Sequence, residues 1–193
     1  MPVQYWVSLL NAGAPWQTNA GTLINTATTA TISPQSGGSN DFTLPPNYFY
    51  PGITLRVEAG GFVTTTGTQT TATFLLACNK SGSYTTIATS GGLLTGTGSL
   101  TGLPWQLQGF INCTAVGSSG NTLSAQLQMV LATTVASQTI PTANTITLGL
   151  PNASGATATA IDTTSAQGIA LRATLAGANA TIQCTQFTIE ALS

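Results

Sequence analysis

Four carboxylates and three cations are the whole charged complement of this chain: Asp41, Glu58, Asp162 and Glu190 against Arg56, Lys80 and Arg172. Histidine is absent, so the side chain that most often moves protons near neutral pH is missing. Neither a Ser-His-Asp nor a Cys-His nucleophile can be assembled without it. Paired carboxylates, as in glycoside hydrolysis, are the one acid–base device these residue types still allow. Their spacing gives no reason for two of them to meet. Asp41 lies in a proline-rich loop, Glu58 in mid-strand, Asp162 in "IDTT" and Glu190 in the last strand. Enzymatic activity is not expected, and neither is a cofactor.

Metal chemistry fares no better. Cys78, Cys113 and Cys184 are far apart, form no CxxC and have no histidine to help them, which speaks against a zinc site. Each falls in a strand-like run, so they read as small buried hydrophobes of a reducing compartment. "IDTTSAQG" offers one carboxylate, too few for a calcium loop. "GGLLTGTG" carries no Lys-Ser/Thr and no following helix, so it is no phosphate loop. "NKSGS", "NCT", "NAS" and "NAT" match glycan acceptors. The start, "MPVQYWVSLLNAG", lacks the basic residues and long apolar core of a secretion signal, and those matches are read as chance.

Three groups of residues are candidates for binding. In "LRVE", Arg56 and Glu58 are two apart on one side of a strand. The plain reading is a solvated pair. The sharper one is an ion pair across a subunit interface with Arg172 or Glu190. Aromatics form the second group: Tyr48, Phe49 and Tyr50 in "NYFYPG", and Tyr84 in "GSYTT". Exposed, they would stack on sugar rings; buried, they plug the end of a domain. Trp6 and Trp16, near the start, would pack on their own domain or anchor in a pocket of a neighbouring chain.

These residues must be positioned by strands. Only 4% of the 193 residues are charged and the net charge is −1, against roughly 25% charged in a typical domain. That excludes the basic footprint nucleic acid demands, and no apolar run of about 18 residues exists to span a membrane. Helix formers with charge are scarce and no long segment has a 3.6-residue period. Strand signals follow one another instead. "ITLRVEAGGFVTT" turns Ile53, Leu55, Val57 and Ala59 inward, and Gly60-Gly61 marks a bulge or a close backbone approach. "TATFLLACN" is apolar on both sides and reads as a covered central strand. "GGLLTGTGSLTGLP", Gly91 to Pro104, reads as a flexible connection. "WQLQGFINC" and "NTLSAQLQMVLATT" alternate about an "SSGN" turn. In the second, Leu123, Ala125, Leu127, Met129 and Leu131 face in, while Thr122, Ser124, Gln126 and Gln128 face water. In "TIQCTQFTIEAL" the inward set slips from Ile182 and Cys184 to Phe187 and Ile189, which predicts a bulge near Gln186. About eight to ten antiparallel strands make an all-β sandwich or closed barrel. Residues 1–20 are read as an arm or first strand and residues 21–193 as a single domain.

Four phrases, in order, resemble a group of small structural proteins of tailed bacteriophages: "GTLINTATTATISP", "FTLPPNYFYPGITLRVEAGGFVTTT", "LPWQLQGFINCTAVGSSGNTLSAQLQMVL" and "IDTTSAQGIALRATLAGANATIQCTQFTIEALS". A histidine common in that group's last strand is replaced here, at Thr185 or Gln186, and the first twenty residues have no counterpart. The resemblance implies a jelly roll of the tumour-necrosis-factor and complement type. It also implies a homotrimer and a place on the virion, as a head decoration or minor capsid protein on the major capsid protein, made in the cytoplasm of the bacterial host. A cementing protein of this kind stabilises a shell by adding buried area where subunits meet. The alternative is a tail-associated adhesin or carbohydrate-binding module, which the same fold can host.

Overall fold

The computed structural model describes residues 8–9, 24, 27–34, 41–68, 70–95, 98–119, 121–133, 144–150 and 159–192. Every regular element among them is a strand: β1 (Ser8–Leu9), β2 (Ala30–Thr31), β3 (Phe42–Leu44), β4 (Thr54–Gly67), β5 (Thr71–Lys80), β6 (Ser83–Thr89), β7 (Leu93–Leu94), β8 (Gly98–Cys113), β9 (Asn121–Thr133), β10 (Asn144–Leu150), β11 (Thr159–Ala160), β12 (Gln167–Leu175) and β13 (Ala180–Leu192). Thirteen exceeds the expected eight to ten because five of these are two or three residues long. No helix among the described residues is long and apolar enough to cross a membrane.

All pairing is antiparallel, in two sheets packed as a β-sandwich. The first sheet runs β1-β13-β4-β8-β9-β10, with β11 also on β9. The second runs β2-β12-β5-β6, with β3 also on β12 and β7 on β5. Ile24 bridges Ile182 of β13 while Ala30 and Thr31 pair with β12, so the chain passes from one sheet to the other over this short stretch. Inward residues of both sheets form one core. Its centre is Trp105 of β8 against Phe74 of β5, ring centroids 5.0 Å apart.

Alternation explains most of the strands. In β9 the expected inward five are all buried. β5 lies between β12 and β6, as its two apolar sides require, and Ala77 on its outer side is fully buried. Its hairpin to β6 turns on Ser81 and Gly82, both with positive φ (52° and 89°), the two-residue turn that matches strand twist. The slip in β13 is present: Cys184 faces Gly61 and Gln186 faces Gly60, leaving Thr185 as the extra residue. Gly61 is where the opposing backbone comes close, since a Cβ there would stand 1.9 Å from the Gln183 carbonyl oxygen.

Two expectations are corrected. Gly91 to Pro104 is not simply a connection. Leu93–Leu94 pairs with β5, and from Gly98 onward the chain is the first part of β8, paired to β4 from Gly67↔Gly98 onward. Its glycines mark an irregularity, a register shift opposite Val63 to Thr65; the distant partner β4 supplies the ladder that local propensity does not. Thr122 is not on the wet side either. It is 1% exposed, and its hydroxyl donates to the Ile161 carbonyl and accepts from the Ile161 amide, both at 2.8 Å. There it stitches the segment after β11 to β9, as a buried hydroxyl must be satisfied.

Candidate functional site

The register of the first sheet gathers a polar group on its outer side. On its outer side, β4 presents Arg56, Glu58, Gly60 and Phe62 in succession. Across β8 these face Phe110, Gln108, Gln106 and Pro104; across β13, Arg56 and Glu58 face Glu190 and Thr188. Arg56 donates to Glu58 and lies 3.6 Å from Glu190. The two carboxylates that sequence spacing left apart are therefore brought to one guanidinium, within one chain. Such exposed pairs stabilise a fold by about 0–1 kcal/mol. Arg172 takes no part in this group, because β12 belongs to the opposite sheet.

Beside that triad the surface dips into an open groove of about 190 Å³, lined by Glu58, Gly60, Gln106, Gln108 and Gln186 together with Ala59 and Leu107. The three glutamine amides make no side-chain hydrogen bond to another described residue. Phe110 and Phe62, 42% and 44% exposed, flank the same outer surface. Sequence reasoning missed this groove. Alternation marks each of these residues as outward, but only the register says which outward residues adjoin.

Arg172 is instead on the outer side of the second sheet. Its guanidinium lies 4.0 Å from the centre of the Tyr84 ring and donates to the Thr29 carbonyl at 3.4 Å, while its Nε is buried without a partner among the described residues. The Tyr84 hydroxyl donates to Asp41 at 3.1 Å and accepts from Thr31 at 3.3 Å; Asn79 also donates to Asp41. The row of β12 and β5 between these side chains holds Ala170 and Ala77, both 0% exposed although they point outward. This cluster is a polar cover over small residues, and Arg172 occupies one face of the half-buried Tyr84 ring.

The remaining aromatics also separate. Phe49 is buried, and Tyr48 packs edge-on against it, centroids 5.9 Å apart, at one end of the sandwich. Only Tyr50 is well exposed. The loops at that end are laced together: Asn47 donates to the Thr163 carbonyl, and the Thr163 amide donates to the Gly117 carbonyl. Trp6 and Trp16 lie outside the described residues.

Asp162 organises the adjoining turn. Its carboxylate accepts from Lys80, from the Thr164 amide and hydroxyl, and from the Ser165 hydroxyl. Lys80 first, then those hydroxyls, hold it well below the ordinary carboxylate range. The unfolded chain therefore takes up a proton before the folded one. The network's contribution is complete above the ordinary value near pH 3.9 and drains as pH falls further. Asp162→Asn is expected to be less stable than the parent at pH 7, with the gap in urea midpoint narrowing at pH 3 and below; a gap independent of pH would refute this.

All three cysteines are free and buried. Burial pushes the Cys78 and Cys184 thiols up to about 12, and Cys113 upward as well, which removes the reactive thiolate. Titration with a coloured disulfide reagent at pH 8 is expected to find no fast thiol in the native protein and three after denaturation. Among the described residues no three His, Cys, Asp or Glu side chains gather where they could hold a metal ion. No family model, no curated protein and no solved structure matches the chain.

Proposed function

We propose that this protein is a structural component of a bacteriophage virion, a jelly-roll decoration protein that binds the major capsid lattice as a homotrimer. The observation that carries this reading is the fate of the charges. All seven charged side chains have partners inside the chain: Arg56 with Glu58 and Glu190, Lys80 with Asp162, Asp41 with Asn79 and Tyr84, Arg172 with Tyr84 and the Thr29 carbonyl. The rest of the sandwich's outer surface is mostly Thr, Ser, Gln and Asn, with a few exposed aromatics. Such surfaces approach identical copies without long-range repulsion, and they desolvate at lower cost than ions. The four sequence phrases that resemble phage decoration proteins add the particle and the three-fold arrangement.

Cryo-electron imaging of particles with and without the protein tests the reading. Density on the shell at local three-fold positions is the expected result, with shells losing resistance to heat when it is missing. Density confined to the tail, or none on the particle, refutes it. In solution a mass near three times the 19.5 kDa chain is expected.

A further inference from the structure

We infer that the groove on the outer side of the first sheet is a binding site for a neutral oligosaccharide. The reading is independent of where the protein sits on a particle. It rests on the chemistry of the groove, on its flanks and on one glycine.

Its polar groups select the ligand class. Gln106, Gln108 and Gln186 each offer an amide that donates and accepts, and Glu58 adds an acceptor. Sugar hydroxyls also donate and accept, so they satisfy these groups in place of water. An apolar ligand would strip the amides of water and leave them unpaired. An anionic ligand would meet the carboxylates of Glu58 and Glu190. A cation would compete with Arg56, which already stands between them. Nucleic acid would find no row of cations.

The flanks supply the apolar half of sugar recognition. Phe110 stands opposite Arg56, and Phe62 is six residues further along β4. At about 3.3 Å per residue the two rings are roughly 20 Å apart along the strands, with the Glu58 and Gly60 rows between them. That span suits a chain of several sugar rings, not a single one. Exposed aromatic rings offer the faces on which the C–H side of a sugar stacks.

Gly60 is the third observation. Its φ is not positive, and a Cβ there would meet only the Trp105 carbonyl oxygen, at an ordinary 3.5 Å. Backbone geometry does not require glycine at this position, unlike Gly61 next to it. What a larger side chain would do at Gly60 is fill the groove.

The test is an array of neutral oligosaccharides of four or more rings, with acidic ones as comparison, followed by titration calorimetry on any that bind. The full chain is expected to bind at least one neutral member with an affinity that stays the same when the salt concentration is raised roughly tenfold. Gly60→Leu and Phe110→Ala are each expected to weaken that binding at least tenfold, and Gln108→Ala gives a further variant should either fail to fold. Tyr50→Ala, at the exposed loop aromatic, is expected to leave it unchanged. Binding of no neutral glycan overturns the proposal. So does binding lost in Tyr50→Ala but kept in Gly60→Leu, or a self-associated form in which Phe110 and Phe62 are covered by a second copy.

Discussion

Gly109→Ala and Gly61→Ala are each expected to destabilise the protein by about 3 kcal/mol or more, a large share of a typical domain's roughly 5–15 kcal/mol. A Cβ on Gly109 would stand 2.1 Å from the Gln126 carbonyl oxygen, and on Gly61 1.9 Å from that of Gln183. Both obstacles are backbone of a paired strand, so neither can rotate aside as a side chain would. Relief requires β8 to part from β9, or β4 from β13, at the cost of ladder hydrogen bonds and core contact together. Gly60→Ala is the internal comparison, expected to change stability by less than about 1 kcal/mol because its new methyl meets only ordinary contact. Urea midpoints of the three variants decide the matter. Equal midpoints would show that the strands are not as close as described.

The second large effect is expected at Trp105. Its ring is 1% exposed, packs against Phe74 of the other sheet, and donates from Nε1 to the Gln183 carbonyl at 3.2 Å. Trp105 faces Gly61 across the β8–β4 pair, while Gln183 belongs to β13 on the far side of β4. The indole thus reaches across β4 at the point where glycine leaves room for it. Trp105→Ala removes the largest side chain at the contact between sheets and is expected to cost about 3–5 kcal/mol. Trp105→Phe keeps part of the ring and loses the donor, with an expected cost of about 1–2 kcal/mol. Because Gly61 and Trp105 share this contact, a double variant is expected to cost less than the sum of the single ones. Strict additivity by denaturant unfolding would separate the two.

The polar chemistry of the molecule is mostly structural. Asp41, Tyr84 and Arg172 cover the small residues of one sheet, Asp162 ties a turn, and Arg56 joins β4 to β13. Charges committed in this way hold the fold and leave few of them without a partner on the surface. That is the property on which both the proposed docking and the proposed sugar site depend, since each replaces water by matched neutral groups.

Local patterns in the sequence determined the all-β antiparallel class, the inward residues of β9 and β13, the bulge beside Gln186 and the special backbone at Gly61. Each of these follows from a two-residue period or from a residue type that only one backbone geometry needs, so it is written in consecutive residues. Partners across strands are not written there. Glu190 meets Arg56, Arg172 lies over Tyr84, Thr122 turns inward, and Gln106, Gln108 and Gln186 gather around Gly60 only because the strands pair in one register. That register is decided by burying the whole apolar set of both sheets at once, a property of the assembled core that no single strand carries.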